Sequence, residues 1–238
     1  MDRNEETMKK YKAFDVIGPV MVGPSSSHTA GACKIGNAAL AISEGDPFHK
    51  VVFRLHGSFA STYRGHGTDL ALVAGVLGIL PDDNRLGHSF EIAKERGIDF
   101  SFKEVNLGEE RHPNTVEIVF YYDNGGHLSV TGSSIGGGNI LIVAINDIEV
   151  EFKNEYPTLI LQYQEQKGII AMVSTELTTN GYNIETMVTK KIEDTVTLVT
   201  EITHAVDHKT LEPILNDERF EFAKYIGTFD EKEQEALC

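Results

Sequence analysis

The chain has 238 residues, 41% hydrophobic and 24% charged, a composition that excludes disorder, collagen-like repeats and coiled coil and suits one or two folded domains. Its 36 acidic and 21 basic side chains give a net charge of −15, which repels phosphate backbones and anionic lipid, so neither nucleic acid nor a membrane is an expected partner. Two cysteines, Cys33 and Cys238, are too few for a disulfide framework or for holding an iron–sulfur cluster alone.

The polar start, Met1–Lys12, has no apolar signal core, and the longest apolar runs, such as Ile140–Ile145, fall far short of the roughly 20 residues that span a bilayer. A cytoplasmic location is expected. The first chemically informative segment is Gly23-Pro24-Ser25-Ser26-Ser27-His28-Thr29, which leads into a small-residue helix predicted over Ala30–Ile42. Hydroxyls and free backbone N–H groups at a helix start favour an anion, so a carboxylate or phosphate suits this turn, although Ser27 or Thr29 also serves as a plain N-cap. His28 titrates near neutral pH and can take a proton from a substrate bound there. A lone histidine is also commonly structural, and no nucleophile elbow accompanies the serines.

Next come a strand over Val51–Leu55, the cluster His56-Gly57-Ser58, and Gly65-His66-Gly67-Thr68-Asp69 at the start of a helix predicted over Thr68–Leu77. His66, Thr68 and Asp69 are candidate binding residues, while the glycines and the capping power of Thr68 and Asp69 also fit a purely structural turn. Gly65-x-Gly67 lacks the third glycine of a dinucleotide fingerprint, which removes a nicotinamide site. A helix is predicted over Leu86–Arg96, followed by strands over Thr115–Tyr122, Leu128–Thr131 and Ile140–Ile145. His112-Pro113-Asn114 reads as a rigid turn, and the loop histidines match no metal-ligand spacing. The run Gly132–Asn139, read as lying between two strands, places Gly136, Gly137 and Gly138 where the chain bends sharply or meets a ligand.

A charged junction over Glu149–Pro157 divides the chain into domains at 1–152 and 157–230, and 19 of the 22 glycines precede it. Beyond it the pattern is strand Thr158–Tyr163, helix Ile169–Thr179, strand Ile184–Lys191, strand Val196–Thr203, helix His208–Leu215 and strand Phe220–Gly227. This β-α-β-β-α-β order is a ferredoxin-like arrangement, so the whole chain is expected to be mixed α/β with two such layers. Apolar Ile169, Ile170, Val173 and Leu177 carry the first helix. The turn Glu165-Gln166-Lys167-Gly168, with Ile169 and Asn183, is the candidate effector site here, and Asp230–Cys238 is an acidic tail.

The segments Gly18–Gly31, Gly57-Ser58, Gly65–Asp69, His112–Asn114 and Gly136–Gly138 arrive in an order that resembles the β chain of iron–sulfur-dependent L-serine dehydratase (L-serine ammonia-lyase), from about Phe14 to Gly227. That resemblance implies a first domain like the anion- or substrate-binding domain of some phosphoglycerate dehydrogenases, then an ACT domain. It implies a separate α chain whose cysteines hold a four-iron four-sulfur (4Fe-4S) cluster, and L-serine as substrate. It further implies that Ser25, Ser26, Ser27 and Thr29 hold the substrate carboxylate in the α chain's active site while His28 acts as base. The ACT half, which departs from the usual Asp-x-Pro-Gly with Glu165-Gln166-Lys167-Gly168, would pair two β chains or sense a small ligand. A stand-alone amino-acid or anion sensor is the alternative reading, and it requires no cluster-bearing neighbour.

Overall fold

The computed structural model describes residues 21–228, so Met1–Lys12, the Gly18–Val20 part of the first motif and the Asp230–Cys238 tail lie outside the described residues. The chain folds as mixed α/β with two sheets. A π-helical turn, Ser26–Ala30, runs directly into α1 (Gly31–Ile42). Then follow β1 (Phe48–Leu55), α2 (Gly57–Thr62), α3 (Thr68–Val76), a 3-10 turn (Asn84–His88), α4 (Ser89–Glu95), β2 (Asp99–Glu104), β3 (Thr115–Tyr122), β4 (His127–Gly136), β5 (Asn139–Ile145) and β6 (Ile148–Phe152). The remainder is β7 (Thr158–Gln164), α5 (Ile169–Thr179), β8 (Ile184–Ile192), β9 (Thr195–Ile202), α6 (His208–Leu215) and β10 (Phe220–Ile226).

The first sheet has the order β2-β1-β3-β4-β5-β6, with β1 and β2 parallel and every other pair antiparallel. On β3 the period of two sends Val116, Ile118 and Phe120 into the core beneath α1 and α3, while Glu117 and Tyr121 take the other face. There Glu117 pairs with Arg54 of β1 at 2.7 Å, a half-exposed contact worth no more than about 1 kcal/mol. Ala71–Val76 of α3 are buried on every side, and this small-residue helix packs tightly on α1.

Several boundaries differ from the sequence reading. The helix expected over Leu86–Arg96 begins as the 3-10 turn, whose N-cap Asp83 accepts from the Arg85 N–H at 2.8 Å, and becomes α-helical only at Ser89. Gly132–Gly136 is strand, not an inter-strand run, and the hairpin to β5 closes through the two residues Gly137 and Gly138, at φ 62° and 79°. That is the left-handed pair a tight hairpin needs, and Gly136, at φ 106°, absorbs the register shift after Ser134. Glu149–Phe152, taken as the start of the junction, belongs to edge strand β6.

The second sheet has the order β10-β7-β9-β8, all antiparallel. Ile169, Val173 and Leu177 of α5 and Leu211 and Ile214 of α6 share an apolar core with Leu159, Leu161, Leu198 and Ile202 of the sheet. Ile170 leaves that stripe and is 48% exposed, because i, i+4 and i+8 face the sheet and i+1 does not. The opposite face sends Ile160, Val199 and Ile226 into the first sheet's core, and the ion pairs Lys190–Glu149 and Lys224–Glu44 bridge the two layers. Among the described residues no helix is long and apolar enough to cross a membrane.

Candidate functional site

The π-helical turn puts its serines and His28 at the N-terminus of α1. Ser25 is extended (φ −141°, ψ 124°) and caps the turn by accepting the His28 N–H on Oγ at 3.1 Å, while its carbonyl accepts the Thr29 N–H at 2.8 Å. The N–H groups of Ser26 and Ser27 have no hydrogen-bond partner among the described residues, and Ser25, Ser26 and Ser27 are partly exposed, a combination of donors that suits an anion at a helix start. Ser25 Oγ and Ser27 Oγ lie 3.4 Å apart, close enough to grip one small group together.

His28 is partly exposed. Its Nδ1 lies 3.1 Å from Ser27 Oγ and its Nε2 3.1 Å from Ser58 Oγ at the start of α2. Phe59 meets the ring edge-on at 5.4 Å, and His66 lies tilted against it at 4.9 Å. Desolvation, and then the charge of His66, lower the His28 imidazolium from the ordinary histidine value, which favours the neutral, proton-accepting ring. A partly exposed imidazole therefore stands beside a turn rich in hydroxyls.

Of the other expected residues, His66 joins this group, since its carbonyl accepts the Thr29 hydroxyl at 3.0 Å and its ring meets His28. Thr29 and Thr68 are buried, and among the described residues the Thr68 hydroxyl has no hydrogen-bond partner. Asp69 is half-buried, its carboxyl raised by desolvation although Oδ1 accepts the Leu70 N–H at 2.9 Å. Gly138 lines a separate cavity of about 230 Å³ with Lys34, Asn37 and Lys153, and Gly136 and Gly137 belong to the adjoining hairpin. His112 Nδ1 accepts the Asn114 N–H at 3.1 Å, as the rigid-turn reading expects, and the Pro113 and Asn114 carbonyls brace Phe59 and Ser134.

The sequence reading did not single out Ser58 as a site residue. It is 30 positions from His28, and its short helix has no periodic signal; Gly57, at φ 57° against the Pro113 backbone, was the available clue. In the second sheet Gly168 caps α5 at φ 92°, beside the β8–β9 hairpin, where the Glu165 N–H donates to the Asp194 carbonyl at 2.8 Å. Asn183 precedes the Ile184–Ile202 pair at the other end of the same strands, roughly 25 Å away by strand rise. One copy of the chain does not bring Gly168 and Asn183 together, and Ile169 is buried.

Among the described residues no three His, Cys, Asp or Glu side chains converge as a metal site. Cys33 is buried, burial pushes its thiol up, and its Sγ donates to the Ile79 carbonyl at 3.2 Å, so nothing described here fits an iron–sulfur cluster. Iodoacetamide is expected to leave the Cys33 peptide unmodified in the native chain and to alkylate it in denaturant; native labelling at full rate, read by peptide mass, would contradict this environment.

Residues 13–144 match the model of the family described as serine dehydratase beta chain. The chain is 53% identical over 221 residues to the L-serine dehydratase, beta chain, of Peptoniphilus asaccharolyticus, covering 92% of this chain and 99% of that protein. It is 37% identical over 209 residues to the probable L-serine dehydratase, beta chain, of Bacillus subtilis, covering 87% and 94%. L-serine dehydratase 2 of Escherichia coli is 38% identical over 153 residues, which is 54% of this chain and 32% of that longer protein.

Proposed function

The chain belongs to the serine dehydratase beta chain family, and from that premise we propose that it is the β subunit of an L-serine dehydratase, which deaminates L-serine to pyruvate and ammonia together with a separate α chain. Ser25, Ser26 and Ser27 hold the substrate carboxylate, with the N–H groups of Ser26 and Ser27, and His28 removes the α-proton. Thr29, Thr68 and Asp69 support that turn from below, and His66 walls the base. Gly136, Gly137 and Gly138 shape the neighbouring hairpin on the side of the incoming α chain. A 4Fe-4S cluster on that α chain would supply Lewis-acid pull on the substrate hydroxyl. The observation that supports this reading is the contact of the partly exposed His28 imidazole with the hydroxyls of Ser27 and Ser58 at the helix start.

The direct test is co-expression with a candidate α chain and an anaerobic assay for pyruvate from L-serine. Activity that needs both chains is the expected result, and a β chain that leaves the α chain's rate unchanged would refute it. The cytoplasm is the proposed location.

The second sheet, residues 157–230, is proposed as a ferredoxin-like ACT domain after a catalytic-partner domain at 1–152. Its strand order, with both helices in one core, supports the reading. Edge strand β8 exposes Val188 at 52% and Ile192 at 55%, so we propose that two β chains pair there, antiparallel, bringing Gly168 of one copy near Asn183 of the other. Val188→Lys is expected to convert a dimer to a monomer by light scattering with its melting point retained. A wild-type chain that is monomeric at all concentrations would remove the pairing.

A further inference from the structure

The imidazole of His28 is held at both nitrogens by hydroxyls, with Ser27 Oγ on Nδ1 and Ser58 Oγ on Nε2, each at 3.1 Å. Neither contact is a carboxylate. Among the described residues the histidine within ion-pair distance of an acidic side chain is His49, with Asp123. A carboxylate accepts only, and so fixes one ring nitrogen as a donor; a hydroxyl donates or accepts, and fixes a tautomer only if its own geometry is constrained.

The backbone at Ser58 is held in place. It follows Gly57, whose φ of 57° requires the left-handed region and whose added Cβ would meet the Pro113 carbonyl oxygen at 2.6 Å, so the chain entering α2 is pinned to the 112–114 turn. The next residue, Phe59, is fully buried, its N–H on the Pro113 carbonyl at 3.3 Å and its ring edge-on to His28. The Ser58 carbonyl accepts the Thr62 hydroxyl at 2.7 Å and the Ser61 hydroxyl at 3.2 Å, which closes the short helix around it. Ser27, on the π-helical turn and partly exposed like Ser58, also contacts Ser25. With Ser25 Oγ accepting the His28 N–H, the Ser25 hydroxyl hydrogen is left for Ser27 Oγ and the Ser27 hydrogen for Nδ1, an arrangement that places the ring hydrogen on Nε2, toward Ser58 Oγ.

We propose that Ser58 is a positioning residue for the reaction: it accepts the Nε2–H of neutral His28, which leaves Nδ1 unprotonated on the side of the Ser25–Ser27 hydroxyls. This rests on His28 being the base. When the substrate's Cα–H bond breaks, its proton goes to Nδ1 and its electron pair forms the Cα–Cβ double bond as the hydroxyl leaves with the C–O pair. The Nδ1 proton then converts that hydroxide to water and returns the ring to its neutral state. Through the step the imidazolium keeps Nε2–H on Ser58 Oγ, so one charge-assisted hydrogen bond strengthens as charge develops.

Two measurements test the proposal. In the full chain, nitrogen-15 spectra of the histidine rings, with His28 assigned by loss of its signals in His28→Gln, are expected to give the Nε2–H tautomer; an Nδ1–H tautomer overturns the assignment without reference to activity. In the α–β complex, Ser58→Ala is expected to lower kcat roughly tenfold to a hundredfold with KM for L-serine changed less than about threefold, while Ser58→Thr, which keeps the hydroxyl, stays near wild type. A Ser58→Ala complex with wild-type kcat refutes the role, as does a loss that Ser58→Thr fails to restore while both variants keep the wild-type melting point. If His28→Ala is itself active, the base assignment fails; if His28→Ala is inactive and Ser58→Ala is not, only this inference fails.

Discussion

Replacing His28 by alanine is expected to lower kcat of the α–β complex by about 10²- to 10⁴-fold, the range that a positioned general base contributes, with the assembly and melting temperature of the β chain little changed. The side chain is partly exposed and no charge is stranded by its removal, since its two ring hydrogen-bond partners are hydroxyls that water can replace. KM should move far less than kcat, because the carboxylate grip is proposed for Ser25–Ser27 and the backbone N–H groups beside them. The pH profile carries independent information. Burial and His66 hold the His28 imidazolium below its ordinary value, so the acidic limb of kcat/KM should fall below pH 6.5 and activity should be flat through neutrality. The same shift has a sign for stability: between the native value and 6.5 the unfolded chain binds more protons than the folded one, so acidification below 6.5 weakens the fold until the native value is passed. A His28→Ala complex with more than a tenth of the wild-type rate would end the assignment of this side chain as base.

The parts of this molecule legible from sequence are those whose signal is local. The split β-α-β-β-α-β order was readable because α5 has a clean i, i+4, i+8 stripe and a Gly181 stop, and its boundaries, Ile169–Thr179, coincide with the observed helix. The turn at Ser25–Thr29 was readable because hydroxyls before a small-residue stretch mark a helix start, although the π-helical winding that orients His28 has no compositional mark. Strands β2 and β6 were missed for opposite reasons. Asp99–Glu104 alternates weakly and is half-exposed at a sheet edge, whereas Ile148–Phe152 carries two glutamates that read as a junction when they are the solvent side of an edge strand. Ser58 was invisible as a site residue because its meeting with His28 is a tertiary fact, set by how α2 and α1 lie over the sheet.

Substituting Gly75 by alanine is expected to destabilise the chain by about 3 kcal/mol, the upper end of the usual cost of overpacking, and to lower the melting temperature by roughly 10 °C. The reason is that α1 and α3 touch backbone to backbone. A Cβ on Gly75 would lie 2.8 Å from Gly36 Cα and 3.0 Å from the Asn37 backbone nitrogen, and it would also strike the Cys33 carbonyl. None of these is the end of a flexible side chain, so no rotamer change relieves the clash and the helices must separate. Separation also breaks the Asn37 side-chain donations to the Gly75 and Ile79 carbonyls, at 3.0 and 3.1 Å, leaving a buried amide short of partners. Functional loss follows from the same displacement. The π-helical turn sits on the N-terminus of α1, while His66 precedes α3 and is tied to that turn by the Thr29 hydroxyl, so moving the helices apart opens the wall behind His28. Gly87→Ala is the matched control, because its added methyl meets open space and should change stability by less than about 0.5 kcal/mol. Denaturant unfolding of the two variants discriminates: equal midpoints for Gly75→Ala and Gly87→Ala would mean that the helices do not approach this closely and that the base is not backed by the core.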